Sequence, residues 1–214
     1  MRWIALAAAL AVCAGPGQAR RERLRPTANP SAVVATELAF ARAAQDKGQW
    51  AAFRQYAADD AVMFTPQLTP AKAWLKGRAE PPVAVKWQPY EVWMSCDGSL
   101  AVTKGAWQRP NGVGYFTTVW QRQKNGDYKW VLDQGDGLKE ALPAPEMIAG
   151  QVAECSKASP PDIPAAEGRT VGWSKDKTLQ WIVEVEPDNS RSFKVHRWNG
   201  NGYEEVLRSD VAVE

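Results

Sequence analysis

At Val83 the hydrophobic period of the chain changes from helical to two. The alternation holds through four segments: "VKWQPYEVWMS", "LAVTKGAWQR", "VGYFTTVWQRQ" and "YKWVLD", the last ending at Asp133. A period of two places every other side chain on one face of a pleated strand, so each segment reads as a strand with one face turned inward. Turn chemistry separates them. Cys96-Asp97-Gly98-Ser99 divides the first pair, and Asn125-Gly126-Asp127 the last. Short connections allow only antiparallel neighbours, so the segment predicts a meander. Pro89 cannot donate to a ladder and marks a bulge or an edge in the first strand.

Helical signals precede the strands. Asn29 can cap a helix whose first position suits Pro30, and Gly48 ends it. Between them "SAVVATELAFARAAQDKG" places Val33, Glu37, Phe40, Ala41 and Ala44 along one side. A second helix is expected in "QWAAFRQYA", where Trp50, Phe53 and Tyr56 recur at helical spacing. "ADDAVMFTPQ" reads as a turn carrying Asp59 and Asp60, a short strand and a proline stop. "TPAKAWLKG" predicts a third helix with Thr69 as cap, Pro70 at the first position and Gly77 as terminator. Glu80-Pro81-Pro82 then forms a stiff connector.

Three helices followed by four antiparallel strands define an α+β pattern. Residues 29–140 are expected to form this unit. Residues 141–167, rich in Ala and Pro, read as a short helix and a linker. In residues 168–214 the period returns to two: Leu179, Trp181, Val183 and Val185 alternate with Gln180, Glu184 and Glu186. A small antiparallel appendage results, with one wet face, and a sheet of that size needs to dock on the first unit.

The 214 residues are 45% hydrophobic and 23% charged, enough to bury a core, and the net charge of +2 builds no basic face for nucleic acid. "MRWIALAAALAVCAGPGQA" carries Arg2 before an apolar run that is too short to span a bilayer, so residues 1–19 read as an export signal cleaved after Ala19. The arginines Arg20, Arg21, Arg23 and Arg25 just beyond oppose translocation. Cleavage removes Cys13 and leaves Cys96 and Cys155, either a bridge formed in an oxidising periplasmic or extracellular compartment or two unrelated buried thiols.

The helical segment "ELAFARAAQDKGQWAAFRQYAADDAVMFTP", the strands "GSLAVTKGAW" and "YFTTVWQRQKNGDYKWVLD", and their order resemble the SnoaL-like group of the nuclear-transport-factor-2-like superfamily over residues 31–137. The resemblance implies a cone: a bent antiparallel sheet wrapped against the helices around an apolar pocket. It also implies functions that include ketosteroid isomerases, cyclases, dehydratases and members without known chemistry. Fold alone does not choose among them.

Candidate chemistry is sparse. On "YKWVLD", Tyr128, Trp130 and Leu132 share one face, which sends Asp133 outward with Lys129 unless a bulge resets the register. Asp136, between Gly135 and Gly137, reads as a turn carboxylate. Relatives commonly carry a histidine-bearing run where this chain has Asp133-Gln134, a departure that weakens the case for acid–base work. Asp60, in the acidic turn, matches a region where ketosteroid isomerases hold a base. Tyr90 and Tyr115 are the hydroxyls best able to reach a pocket. The single His196 builds no metal site, and no cofactor motif is present, so neither metal nor cofactor is expected.

Eleven tryptophans fall on helices and strands alike. They either fill a core or line a pocket for a planar apolar ligand, with Tyr56, Trp93, Trp107, Tyr115 and Trp120 as the candidate walls. Three functions follow: a binder of a small apolar molecule or an interaction module; a dehydratase or isomerase using Tyr115 with Asp60 or Asp133; and a homodimer formed through the exposed sheet.

Overall fold

A computed structural model of the chain describes residues 27–161, 163–164 and 166–212. The export signal expected at residues 1–19, with Cys13, lies outside the described residues.

The helices are α1 (Pro30–Lys47), α2 (Gln49–Tyr56) and the short α3 (Ala71–Leu75). Asn29 caps α1 by accepting a hydrogen bond from the Ala32 amide at 3.3 Å, so the first helix begins and ends where the local signals place it. Gly48, at φ +104°, turns the chain from α1 directly into α2. A side chain there would be strained, and its Cβ would lie 2.6 Å from the Glu80 carboxyl carbon. That carboxylate fills the space because it caps α2, accepting from the Trp50 amide at 2.7 Å and the Ala51 amide at 2.8 Å. Arg54 completes the contact at 3.2 Å. Two orphan amides and the positive end of a helix are thereby satisfied from the connector. Glu80→Ala is expected to lower stability by about 1 kcal/mol, read as a shift of the urea midpoint, with no change in denaturant slope.

Among the described residues eleven strands form two sheets. The large sheet contains β1 (Ala57–Phe64), β2 (Leu68–Pro70), β3 (Lys86–Met94), β4 (Leu100–Arg109), β5 (Gly112–Arg122), β6 (Tyr128–Leu138) and β7 (Ala149–Val152), in the order β2-β1-β6-β5-β4-β3-β7. The meander β3 to β6 is antiparallel throughout, whereas β1 joins β6 and β7 joins β3 in parallel. The small sheet contains β8 (Arg169–Trp173), β9 (Leu179–Val185), β10 (Arg191–Trp198) and β11 (Tyr203–Val211), all antiparallel.

Several local readings are corrected. Asp59 and Asp60 lie within β1 rather than in a turn, at the register break between its pairs Ala57–Trp130 and Val62–Leu132 with β6. Pro70 pairs with Val62 in β2 and precedes α3 instead of opening it, and α3 stops before Lys76. Among the described residues 141–167 contain no helix; they contribute β7, an edge strand. The fourth strand of the meander continues past Asp133 to Leu138, so Asp136 pairs with Tyr115 rather than sitting in a turn. The irregularity beside Pro89 is a bulge at Tyr90, between the pairs Pro89–Gly105 and Glu91–Lys104.

The large sheet has a core on each face. On its concave side Val33, Phe40 and Ala44 of α1, Phe53 of α2 and Leu75 of α3 pack against Val92, Met94, Ala101, Trp120 and Trp130. On its convex side Trp93, Leu100, Val102, Val119 and Leu132 meet Leu179, Trp181, Val183, Phe193, Val195 and Leu207 of the small sheet. The appendage is therefore a third layer. It covers the convex face of the large sheet.

The edge of this sandwich is pinned at one corner. Thr178 accepts a hydrogen bond from the Cys96 amide at 2.9 Å, and Asp176 accepts one from Asp97 at 2.8 Å. Cys96 is bridged to Cys155 with Cα atoms 5.2 Å apart. The segment carrying Cys155 touches both sheets: the Ala153 amide donates to Met94 O at 2.8 Å and the Glu154 amide to Trp198 O at 3.0 Å.

Candidate functional site

One pocket opens between the helices and the concave face, with a volume of about 250 Å³. Phe40 of α1 and Phe53 of α2 form its floor, their rings 4.9 Å apart, and Trp87 of β3 stands 4.8 Å from Phe40. Trp107 and Phe116 form the opposite wall, and Arg109 stands over the Trp107 ring at 5.4 Å. Trp107 lies flat on the backbone of Gly114, where a Cβ would come within 2.3 Å of its ring. Val85 closes the rim because both its backbone groups are held: its amide donates to Gln49 at 3.0 Å and its carbonyl accepts from Gln45 at 2.8 Å.

Asp133 points into this aromatic space, contrary to strict alternation. Val119 pairs with Leu132 and Trp120 with Trp130, so Val131 is an extra residue that resets the register of β6. Two cores compel the bulge. Trp130 belongs to the concave core and Leu132 to the convex one, and two residues of equal parity cannot serve opposite faces without it. Beyond the bulge Asp133 lies opposite Thr118, whose hydroxyl donates to its Oδ2 at 2.9 Å.

Burial pushes the Asp133 carboxyl up to about 8; the Thr118 hydrogen bond opposes this and the charge of Glu37 adds to it. At neutral pH the group is a neutral acid that can donate a hydrogen bond. Since its proton is held more tightly in the folded state than in the unfolded chain, the stability it contributes is full below about pH 4 and is lost as pH rises toward 8. Asp133→Asn is expected to hold its stability from pH 5 to pH 9, while the wild type loses on the order of 2 kcal/mol, water in the open pocket reducing the full linkage value. Parallel urea titrations check it; equal pH dependence in both chains would contradict the assignment.

Glu37 is the residue that sequence reasoning passed over. It is fully buried. Its Oε1 accepts from Trp87 Nε1 at 2.8 Å, and its Oε2 from Thr103 Oγ1 at 2.6 Å and Trp120 Nε1 at 2.9 Å. Burial raises its pKa above the ordinary carboxylate value, and the three donors oppose the rise without cancelling it. The signal that could have found it was present: a lone carboxylate on the apolar side of α1 needs partners.

The other candidates fall in different places. Trp107 lines the pocket, whereas Trp120 lies fully buried beneath it as a ligand of Glu37. Tyr115 borders the pocket along β5, but its parity with Thr117 and Val119 sends the ring to the convex side, 5.9 Å from Lys104 Nζ. Trp93 packs between the two sheets, away from the pocket, because residues of odd number in this part of β3 face the convex core. Tyr56 packs against Phe40 at 5.1 Å and borders a separate surface depression. Asp60 is exposed on β1, and its neighbour Asp59 faces solvent in an ion pair with Lys72 at 3.2 Å. Neither joins Asp133. Among the described residues there is no group of three or more metal-ligating side chains, and no helix is long and apolar enough to cross a membrane.

The chain matches no family model and no curated protein. Among solved structures it is similar to a Parabacteroides distasonis protein that carries a provisional ketosteroid isomerase name, at 14% identity and a TM-score of 0.41, covering 54% of this chain and 97% of that one. It is also similar to a provisionally named ketosteroid isomerase of Shewanella frigidimarina, at 16% identity and a TM-score of 0.33, covering 50% of this chain and 95% of that one.

Proposed function

We propose that this chain is an exported member of the nuclear-transport-factor-2-like superfamily that binds a small apolar molecule bearing a hydrogen-bond acceptor, such as a one- or two-ring ketone. The observation that carries the reading is the Asp133 carboxyl set in a pocket walled by Phe40, Phe53, Trp87, Trp107 and Phe116, where burial pushes its pKa up to about 8 and so keeps it a donor at neutral pH. Aromatic walls desolvate a flat ring, and a neutral acid at the end of the pocket fixes its orientation through one hydrogen bond. The order of helices and strands supports the superfamily. The apolar run near the N-terminus and the Cys96–Cys155 bridge support export, since such bridges persist in oxidising compartments.

A binding titration with 2-tetralone, followed by tryptophan fluorescence, tests the reading. Saturable binding is expected to weaken roughly tenfold in Asp133→Ala, the worth of one buried hydrogen bond. It should also weaken as pH rises past about 8, where the carboxylate can no longer donate. Binding that ignores both the substitution and pH overturns it.

Acid–base chemistry on such a ligand, as in a SnoaL-like isomerase or dehydratase, is the second reading. What favours it is that Asp133 gains and loses its proton at about 8, within reach of a working pH. Deuterium uptake beside the carbonyl of 2-tetralone in heavy water, present in the wild type and lost in Asp133→Ala, would support it; equal rates in both would refute it.

A further inference from the structure

We infer that Glu37 is a positioning residue for the pocket: buried beneath it and holding three donors, it fixes the Trp87 wall and adds to the burial that keeps Asp133 a hydrogen-bond donor. This rests on the pocket reading above. Glu37 is fully buried and Asp133 partly so, and their charges repel, so ionising both is disfavoured and the hydrogen-bond geometry decides which one keeps its proton. Three donors converge on Glu37, from Trp87 at 2.8 Å, Thr103 at 2.6 Å and Trp120 at 2.9 Å, and two of these are indoles that can only donate. Asp133 receives one, from Thr118 at 2.9 Å. Burial acts on both groups, and the difference in donors places the charge on Glu37 and the proton on Asp133.

The two carboxyls are joined through neighbouring strands. Thr103 donates to Glu37 and lies 3.4 Å from Thr118 O, while the Thr118 hydroxyl holds Asp133. Trp87 is shared as well: its ring lines the pocket and its Nε1 is fixed by Glu37, so the buried charge sets the orientation of a wall. The other charged groups bordering the pocket are Arg109 of β4 and Asp136 of β6. From the remaining elements Asp59 of β1 pairs with Lys72 of α3, and Arg54 of α2 with Glu80, away from the pocket.

The test is a side-chain carboxyl titration of the full chain by carbon-13 NMR from pH 4 to pH 10, without ligand. In the wild type Glu37 is expected to lose its proton before Asp133 does as pH rises. Glu37→Gln should raise the acid dissociation constant of Asp133 at least roughly tenfold, a fall of about one pH unit in its midpoint. The Nε1–H resonances of Trp87 and Trp120 should move together. Thr103→Val, which removes a donor from Glu37 without touching Asp133, should lower the same midpoint and serves if Glu37→Gln does not fold. An Asp133 midpoint unmoved in both variants overturns the inference, as does a protonated Glu37 beside an ionised Asp133. Because no ligand is present, the outcome is independent of whether 2-tetralone binds.

Discussion

Trp120→Ala is expected to lower stability by about 4 kcal/mol, most of the stability of a domain at the low end of the ordinary range of about 5–15 kcal/mol. The ring is fully buried at the centre of the concave core, 6.0 Å from Phe40, so its removal leaves a cavity that α1 and the sheet cannot both collapse into. It also deprives Glu37 Oε2 of its 2.9 Å donor, and a buried carboxylate that loses a donor is costly. Trp120→Phe separates the two effects. It keeps most of the volume and should cost about half as much. Urea unfolding of the two variants provides the measurement, and a loss below about 1 kcal/mol for Trp120→Ala would show that the concave core is not organised around this indole.

Removal of the bridge should have a comparable effect by a different route. Cys96 and Cys155 are 59 residues apart, and opening a loop of that length is worth about 4 kcal/mol on the chain-entropy model. The loss should fall unevenly. Residues 153–156 hold β3 on one side and Trp198 on the other, the latter through Ser156 Oγ at 2.8 Å, so the corner joining the two sheets loosens first. Cys96→Ser with Cys155→Ser is expected to lower the urea midpoint and to raise amide exchange in β7 and the 174–178 turn before the rest of the large sheet. Uniform protection with an unchanged midpoint would mean that the buried interface between the sheets suffices.

These two effects mark what was local and what was not. The ends of α1, the turns at Gly98 and Gly126 and the bulge beside Pro89 were legible because each follows from a few adjacent residues. Which way Asp133 faces was not, because its direction depends on Val131 being squeezed out when Trp130 and Leu132 are claimed by opposite cores. Strict alternation along "YKWVLD" is correct only for a strand with a single core to serve. The strand β7 was missed for a similar reason: it is a short parallel edge whose partner, β3, lies far back in the chain, so no hairpin turn announces it. Asp59 and Asp60 look like turn residues by composition, and they occupy the irregular stretch of β1 between its two paired parts, so the preference shows as a register break rather than a turn.

The candidate site was half visible. Aromatic walls were expected, and Trp107 takes that place, while Trp93 and Trp120 went to the interlayer and to the Glu37 cluster. Tyr115, acting with Asp60 or Asp133, was expected to supply the chemistry. The alternation of β5 turns Tyr115 to the convex face and leaves the carboxyl of Asp133 as the polar group set among the pocket's rings.

The protonation state of Asp133 decides whether the pocket offers a donor or a charge. A pH titration of its side-chain carboxyl by carbon-13 NMR in the unliganded wild type should give a midpoint at about 8. A midpoint near 4, the ordinary value for a solvated aspartate, would mean that water reaches the carboxyl freely and that no dry pocket lies between the helices and the curved sheet.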